Sequence, residues 1–380
     1  MGPKLEQLSV QNFRNHENFQ ISDIQGNLIL VGANGRGKTN LIEAIQLAGT
    51  LESFRSSAWG DLIKLGSTWT RVDARFGLPD AFLETRLEVD AGGAVFYFNG
   101  KKKRRQDIEY RIPMVSFVPD DLQLLKGAAE QRRRYVDGLG KQLSSNYRHL
   151  VRDYLKIVQQ RNAFLKDLKG CDLKPSLSEE VWNDHLADLG AALLYSRLHL
   201  FQELILQARD YYRDLSAGDE LDACYYPSYL RGRDDDQTTL TTICSVDFSI
   251  QTKEEYKVEL LKALARRRQD EYLRGVTLVG PHRDELDLIS NKKEARRFAS
   301  QGQQRSMILA LKFAELRILA VARETEAILL LDDVLSELDS GRRQRLLEIC
   351  NGAAQTLMTT TDLATLPAAV LESCRVIELI

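Results

Sequence analysis

The sequence lacks the features of a membrane protein, an exported protein or a disulfide-stabilised protein. No apolar run approaches the ~20 residues that a membrane span needs, and polar residues interrupt the N-terminus before a signal-peptide core forms. The five cysteines are scattered and include no C-x-x-C pair. This pattern favours reduced thiols over a disulfide framework or a zinc site. We therefore expect a cytoplasmic protein that does not enter a membrane.

The chain also lacks the excess positive charge that is typical of nucleic-acid binders, because its net charge is −2 over 380 residues. Its basic residues are nevertheless bunched. Since salt limits the reach of a charge to about 8–10 Å, local patches matter more than the sum. The clusters are residues 101–105, 132–134 and 266–268, and the group Lys292, Lys293, Arg296 and Arg297.

A glycine-rich loop follows a short apolar run near the N-terminus. Its residues are Gly32, Ala33, Asn34, Gly35, Arg36, Gly37, Lys38 and Thr39, and they fit the pattern G-x-x-x-x-G-K-[ST]. Residues 28–31 predict a buried strand before the loop, and residues 40–47 predict a helix after it. In this context the loop is expected to bind the phosphates of ATP, with Lys38 at the β- and γ-phosphates and the Thr39 hydroxyl on Mg²⁺.

Two carboxylates follow a second apolar run, residues 328–331. Asp332 and Asp333 are predicted to lie at the C-terminal edge of a buried strand, where α/β sheets gather their ligands. We expect Asp332 to hold Mg²⁺, directly or through water, and Asp333 to act as the catalytic base near the attacking water. An acidic strand end that caps the next turn is the alternative, and the upstream loop argues against it.

A third motif, Ser300-Gln301-Gly302-Gln303-Gln304, resembles the signature peptide of ABC-type ATPases. By itself it is a plausible serine N-cap, but its position upstream of the carboxylates favours the signature interpretation. A serine and a glycine at a helix N-terminus offer a hydroxyl and N–H groups to an anion. Because a signature peptide in this architecture cannot reach its own loop, Ser300 and Gly302 are predicted to contact nucleotide held by a second copy.

Hydrophobic periodicity predicts an α/β fold with a mixed sheet and helices. The order of the phosphate loop, the signature peptide and the carboxylates resembles that of an ABC-type P-loop ATPase head. Its first lobe comprises residues 1–118 and 325–380. Strands are expected in this lobe at residues 72–76, 82–89, 95–98, 328–331, 356–360 and 375–379.

The second lobe, residues 119–324, is predicted to be an inserted, mostly helical lobe that carries the signature motif. Helical spacing is expected over residues 132–139, 147–168, 179–215, 254–273 and 303–321. Residues 217–252 predict loops and short strands. Residues 277–279 and 286–289 predict strands on either side of Gly280-Pro281-His282-Arg283-Asp284, a motif to which we assign no role from sequence.

The motifs together resemble the RecF family of bacterial recombination mediators, which is akin to the heads of SMC and Rad50 proteins. The resembling segments run in family order and leave mainly the middle of the helical lobe unmatched. They are Asn12-Phe13-Arg14-Asn15 and residues 32–45, 53–55, 117–122, 132–137, 280–284, 300–306, 331–339 and 359–362.

The resemblance implies ATP-dependent homodimerisation on double-stranded DNA near single-strand gaps and slow ATP hydrolysis. It also implies cooperation with RecR and RecO in placing RecA on gapped DNA. Within the site, it implies that Arg14, Asn15 and Asn34 lie near the nucleotide, as does Asn40 in the extended loop. Residues 336–339 are expected to form the D-loop.

Two departures from the wider ABC pattern bear on turnover. Asp333 stands where transporters usually carry glutamate, and Thr359-Thr360-Thr361 stands where they place a switch histidine. Gln123 is only a candidate for the Q-loop. A base held one methylene short is expected to slow hydrolysis, because a misplacement of ~1 Å can cost about a hundredfold.

The cluster of residues 101–105 follows Asn99-Gly100, a hairpin turn signal, and is therefore expected on the return arm of a hairpin. We predict that Lys101, Lys102, Lys103, Arg104 and Arg105 contact the DNA backbone, with a solvated charged arm as the alternative. For residues 132–134 a structural role and a DNA contact are equally supported. Residues 266–268 predict a solvated helix face.

Two other functions fit the same motifs. The first is the ATPase subunit of an ABC transporter, against which the missing switch histidine, the weak Q-loop and the middle lobe argue. The second is a structural DNA clamp that traps ATP without hydrolysing it.

Overall fold

The structure is a computed structural model that describes residues 2–55, 58–167, 177–216, 218–231, 243–244, 251–335 and 338–379. The chain divides into two compact units. Unit 1 comprises Met1–Asp121 and Glu315–Ile380, and unit 2 comprises Leu122–Ala314. The boundary between Ala314 and Glu315 falls within one continuous helix, Gln301–Arg323, so the local sequence does not mark this boundary. Among the described residues, no helix has the length and apolar character needed to cross a membrane.

The strands of unit 1 form two sheets. They are β1 (Lys4–Phe13), β2 (His16–Ile21), β3 (Asn27–Val31), β4 (Thr70–Leu78), β5 (Ala81–Asp90), β6 (Gly93–Phe98), β7 (Lys101–Lys103), β8 (Met114–Phe117), β13 (Ile328–Asp332), β14 (Gln355–Thr360) and β15 (Cys374–Glu378). The first sheet is antiparallel in the order β2-β1-β4-β5-β6-β7, and the second is parallel in the order β15-β3-β14-β13-β8. The predicted fold class is confirmed.

The sheet of unit 2 is smaller, and helices make up most of this unit. Its strands are β9 (Leu221–Tyr226), β10 (Ile243–Cys244), β11 (Glu285–Ser290) and β12 (Lys293–Glu294), in the order β10-β9-β11-β12. The α-helices of the described residues, in both units, are α1 (Lys38–Thr50), α2 (Gln123–Lys126), α3 (Ala129–Leu143), α4 (Ser145–Asp167), α5 (Leu177–Leu215), α6 (Lys253–Arg274), α7 (Ala295–Phe298), α8 (Gln301–Arg323), α9 (Ser340–Cys350) and α10 (Ala368–Ser373).

Helix α1 lies between the two sheets of unit 1 and contacts strands of both. Its residues Leu41, Ile42, Ala44, Ile45 and Leu47 are all fully buried. Because apolar groups surround the helix on most sides, its sequence is apolar nearly all round rather than on one stripe. The helix that follows the phosphate loop is therefore held by one shared core.

The prediction of a strand at residues 277–279 is wrong. The Thr277 N–H donates to Asn162 Oδ1 (2.7 Å), and the Leu278 N–H donates to Glu271 Oε1 (2.7 Å). Side chains thus take the donors that a strand would offer to a neighbour. Most of residues 232–250, predicted as loops and short strands, lie outside the described residues.

The motif Gly280-Pro281-His282-Arg283-Asp284 lies in a buried polar network of unit 2. His282 Nδ1 is 2.6 Å from the Tyr154 hydroxyl, and Asp284 accepts hydrogen bonds from Tyr225 and from the Ser228 N–H. Arg197 donates to the Pro281 carbonyl (2.7 Å) and, through two bonds of 2.9 Å, to Asp137. The motif thus has a structural role: it joins α3, α4, α5 and β9 through hydrogen bonds that sequence spacing does not reveal.

Arginines of two basic clusters have hydrogen-bond or ion-pair partners within unit 2. Arg132 is buried and bonds Glu285 at 2.6 Å, while Arg133 donates to the Asp284 carbonyl. A structural role therefore fits residues 132 and 133 better than a DNA contact. The prediction of a solvated face is wrong for Arg268, because its guanidinium pairs with the buried Glu179 at 2.9 Å.

The cysteines differ in state. Cys350 and Cys374 are free thiols, whereas Cys224 of β9 is disulfide-bonded, with Cys244 of β10 opposite it in the strand register. The expectation of reduced thiols is therefore wrong at Cys224.

The buried His282 predicts a pH dependence of stability. Burial lowers the pKa of His282 to about 3, against about 6.5 in an unfolded chain. The unfolded state therefore binds more protons between these values, and this contribution to stability falls as the pH falls below about 6.5. We expect His282→Gln to remove a slope of up to about 1.4 kcal/mol per pH unit between about pH 6.5 and about pH 5, measured by urea unfolding.

The matched control is His199→Gln, since His199 is exposed on α5. This variant is expected to keep the pH slope of the parent protein. Equal slopes for the parent and His282→Gln would show that His282 is not held neutral by burial.

Candidate nucleotide site

The phosphate loop, residues 32–39, connects β3 to α1 through two left-handed glycines. Gly35 has φ 85° and Gly37 has φ 90°, a conformation that other residues rarely adopt. A Cβ at Gly37 would lie 2.3 Å from His16 Nε2 and 2.4 Å from Asn15 Oδ1. Glycine is therefore required at position 37 both by conformation and by close approach.

The turn between β1 and β2 holds the loop from outside. Asn15 Nδ2 donates to the Gly35 carbonyl (3.2 Å), and His16 Nε2 lies 3.0 Å from the Gly37 carbonyl. Asn40 Nδ2 in turn donates to Asn15 Oδ1 (2.7 Å). In a trans peptide the carbonyl and the next N–H point in opposite directions. Because the turn holds the Gly37 carbonyl, the Lys38 N–H points away from the turn. This N–H belongs to the first turn of α1 and has no hydrogen-bond partner within the helix.

Arg14 anchors the same turn to α1. Its guanidinium donates to both oxygens of Glu43 (2.9 and 2.6 Å) and to the Asp61 carbonyl (2.6 Å). Glu43 is fully buried and also accepts from the Ser53 hydroxyl (2.6 Å). Such a buried ion pair needs its partners, so Arg14 acts here as a brace. Its contact with nucleotide stays a prediction.

Sequence reasoning missed Glu43 and His16. Glu43 is the single charged residue in the apolar run of residues 41–45, and an isolated carboxylate in a core helix signals a buried partner. His16 had no comparable signal, because its contact depends on how the turn folds back onto the loop.

Lys38 is buried at the start of α1. Its Nζ donates to the carbonyls of Gly32 (2.7 Å) and Ala33 (3.1 Å), which keeps the ammonium group within the loop. Residues 33–36 are exposed. A cation, the first-turn N–H groups of α1 and an open loop are the components that bind a triphosphate.

The carboxylates lie at the same edge of the parallel sheet as the loop. Val31 pairs with Thr360, and Thr359 pairs with Asp332. Thr359 Oγ1 donates to Asp332 Oδ1 (2.8 Å) and accepts from the Asp333 N–H (2.9 Å). Because β14 lies between β3 and β13, their ends are about 10 Å apart. The predicted meeting of loop and carboxylates is present in unit 1.

The residues present fit Mg²⁺ bound together with a nucleotide. The Thr39 hydroxyl and the Asp332 carboxylate are the hard oxygen donors that this cation prefers. In the part of the chain that the structure describes, no group of three or more His, Cys, Asp or Glu could hold a metal by itself. Magnesium commonly takes its other ligands from phosphates and water.

The signature peptide begins α8 as a capping box. The Ser300 hydroxyl accepts from the Gln303 N–H (3.2 Å), and the Ser300 N–H donates to Gln303 Oε1 (2.9 Å). Ser300 is exposed and Gly302 is half-buried, so the local geometry is that of an N-cap with an accessible serine. The predicted contact of Ser300 and Gly302 with nucleotide of a second copy stays a prediction.

Other motif residues are placed as follows. Ser336 and Glu337 of the expected D-loop lie outside the described residues, and Asp339 caps α9 by accepting from the Arg342 N–H (3.0 Å). Gln123, the Q-loop candidate, begins α2 and is exposed.

The basic arm of residues 101–105 does not form one patch. Lys102 pairs with Tyr97, while Lys101 pairs with Phe98 and Lys103 with Phe96. Because side chains alternate along a strand, Lys102 points to one face of the hairpin and its two neighbours to the other.

Beyond the strand, both arginines of this arm have internal partners. Arg104 pairs with Asp107 (2.7 Å) and Arg105 with Glu52 (3.4 Å). Among the described residues, the three lysines are the cations of this arm without an ion pair.

Comparison with known proteins agrees with this geometry. A sequence model described as the RecF/RecN/SMC N terminal domain matches residues 4–376. An Smc head domain from Pyrococcus furiosus, solved with the C-terminal domain of ScpA, shares the fold with a TM-score of 0.52 at 15% identity, over 99% of this chain and 93% of that one. The fold and the loop therefore define an ABC-type P-loop ATPase head of the RecF and SMC class.

Within that class the similarity to one family is greater. The DNA replication and repair protein RecF of Acaryochloris marina is 35% identical, over 98% of this chain and 96% of its own length. The chain belongs to the RecF family of DNA replication and repair proteins. A solved structure of the recombination mediator protein RecF with ATP, in the RecFOR pathway, matches with a TM-score of 0.85 at 27% identity, over 96% of this chain and 94% of that one.

Thr359 offers a test of the carboxylate pair. Thr359→Val keeps the side-chain shape but removes the hydroxyl that serves both Asp332 and the Asp333 N–H. A hydrogen-bond partner that orients a metal-ligating carboxylate is typically worth about 10- to 100-fold in metal affinity, so we expect Mg²⁺-dependent binding of a fluorescent ATP analogue to weaken about tenfold or more. Titration with and without Mg²⁺ measures this.

Thr359→Ser is the control, because it keeps the hydroxyl, and it is expected to bind close to the parent level. Equal Mg²⁺-dependent affinity for the valine variant would mean that Thr359 does not position Asp332.

Proposed function

We propose that this chain is an ATPase that closes as a homodimer on double-stranded DNA, near single-strand gaps, and separates after hydrolysis. The observation that carries the proposal is the meeting of the phosphate loop, Thr359 and the two aspartates at one edge of the parallel sheet. The similarity to a RecF structure solved with ATP supports the nature of the ligand.

In this proposal Lys38 and the N–H groups of residues 32–39 bind the triphosphate, while Thr39 and Asp332 hold Mg²⁺. The bound cation would neutralise charge on the β- and γ-phosphates. Four further residues are proposed to lie near the nucleotide, namely Arg14, Asn15, Asn34 and Asn40. Asn15 acts through the Gly35 carbonyl.

Asp333 is proposed to orient the attacking water and to accept its proton. The residue has φ 52°, a left-handed conformation that aspartate tolerates, so the chain turns at this point directly after β13. The Thr359 hydroxyl accepts a hydrogen bond from the Asp333 N–H. Since aspartate is one methylene shorter than glutamate, slow turnover is expected, and ATP acts as a timer for DNA binding.

The second copy is proposed to supply Ser300 and Gly302. Ser300 is exposed at the start of α8, and its capping bond leaves a lone pair and the hydroxyl proton for a phosphate oxygen. ATP at a hundred times its dissociation constant would favour the closed dimer by about 2.7 kcal/mol per site, if the open form binds it poorly.

On the DNA side, we infer that Lys101, Lys102 and Lys103 contact phosphates, with Arg104 and Arg105 in supporting positions because both already pair with carboxylates. Such contacts position a protein without reading sequence. Membership of the RecF family supports action with RecR and RecO in loading RecA on gapped DNA.

ATP-dependent association is the first outcome to measure. Sedimentation velocity with ATP, with ADP and without nucleotide is expected to show a dimer only with ATP. Ser300→Arg is expected to keep ATP binding and abolish the dimer, because the long side chain would fill the space that the partner's phosphates need.

Ser300→Thr is the matched control, because it retains the hydroxyl and the cap, and it is expected to dimerise. A mass that does not change with nucleotide would contradict the proposal. Loss of ATP binding in Ser300→Arg would contradict the assignment of Ser300 to the second copy.

Hydrolysis is tested separately through Asp333→Asn. General base catalysis contributes about 10²- to 10⁴-fold, so single-turnover phosphate release is expected to slow by at least about a hundredfold while ATP binding persists. Equal rates in parent and variant, both at background, would indicate a clamp that never turns over ATP.

A further inference from the structure

A second basic surface lies in unit 2, on residues 291–298, which we call the basic hairpin. It comprises the turn between β11 and β12, strand β12 and the short helix α7. The four cations Lys292, Lys293, Arg296 and Arg297 are all exposed. Among the described residues, only Arg297 of these has an ion pair, with Glu294 at 3.1 Å.

The tip of the basic hairpin is held rigidly. Asn291 (φ 48°) and Lys292 (φ 65°) form a two-residue turn with both residues left-handed. The Asn291 side chain donates to Asp219 (2.7 Å) and accepts from the Glu220 N–H (2.9 Å), and its own N–H donates to the Glu220 carbonyl (3.1 Å). A partner would therefore meet lysines on an ordered scaffold, which lowers the entropy cost of binding.

An aromatic side chain adjoins these cations. Phe298 is 66% exposed at the end of α7, directly after Arg297, while the buried Ala295 fixes the start of the helix. Aromatic rings beside cations stack the unpaired bases of single-stranded nucleic acid. The bases of a duplex stay stacked on one another, so for double-stranded DNA the cations alone carry the argument.

Acidic groups around the basic hairpin are largely engaged. Asp219 accepts from Asn291 and also from Gln303 Nε2 (2.8 Å), and these bonds lower its pKa. Asp287 lies near Arg296, and burial raises its pKa. Glu294 pairs with Arg297. Lys292, Lys293 and Arg296 thus keep their charge available to an external anion.

We propose that the basic hairpin is a second contact for the phosphate backbone of double-stranded DNA, separate from Lys101, Lys102 and Lys103. This proposal rests on the proposed DNA binding of the chain, but it does not require that Lys101, Lys102 and Lys103 contact DNA. The basic hairpin and the signature peptide share one anchor, since Asp219 bonds both Asn291 and Gln303, and Gln303 caps Ser300. DNA held there would lie against the structure that carries Ser300.

The test removes the three unpaired cations together, as Lys292→Gln, Lys293→Gln and Arg296→Gln. Affinity for a DNA duplex is measured with ATP over a salt series. Each lost phosphate contact lowers the slope of log K against log salt by about 0.9, so the triple variant is expected to lose about 2 to 3 from the slope and to bind more weakly at low salt. The control is Lys156→Gln with Lys166→Gln, two exposed lysines of α4, for which the slope is expected to stay within about 1 of the parent value.

The outcomes separate this proposal from the general one. If the triple variant keeps the parent slope while removal of Lys101, Lys102 and Lys103 lowers it, the basic hairpin is not a DNA contact. If the parent protein itself shows no salt-dependent affinity for the duplex, the proposed DNA binding fails. If the triple variant loses ATP-dependent dimerisation in the absence of DNA, the surface contacts the second copy, and the proposal is overturned.

Discussion

Parallel pairing of β3, β14 and β13 is the constraint on which the candidate site depends. In a parallel sheet the carboxyl ends of neighbouring strands share one edge. The phosphate loop, Thr359 and Asp332 therefore meet, although nearly three hundred residues of sequence separate the loop from Asp332. Thr359 joins the parts physically, since its hydroxyl bonds both Asp332 and the Asp333 N–H. The six-stranded sheet then covers α1 from the other side, so the helix that begins at Lys38 cannot shift without disturbing the core.

A second layer of contacts stabilises the loop itself. The turn that carries Arg14, Asn15 and His16 reaches both left-handed glycines through their carbonyls, and the buried Glu43 fixes that turn on α1. These side chains shape the backbone that is proposed to receive the phosphates. Binding free energy is then not spent on ordering the loop, which is the advantage of a preorganised site.

The predictions that depended on local pattern agree with the structure. Strand, glycine loop and helix follow one another at residues 27–50, and the apolar run before Asp332 is a fully buried strand. Predictions agreed less well with the structure where contacts with other residues determine the local conformation or the charge that is available. Residues 277–279 are of types that favour strands, yet the side chains of Asn162 and Glu271 take the N–H groups of Thr277 and Leu278. The run of residues 101–105 looks like one basic patch, yet strand alternation and two ion pairs divide it.

The sequence by itself determined the chemistry of the loop, the identity of the carboxylates and the family, because spacing within a few residues specifies a turn or a strand end. Only the tertiary structure decided which polar side chains have hydrogen-bond or ion-pair partners within the protein. Arg14 pairs with Glu43, Arg132 with Glu285 and His282 with Tyr154, each across 29 or more residues of chain. Such pairings depend on how separate elements pack, and residue spacing carries no information about the partner that a buried polar group will find.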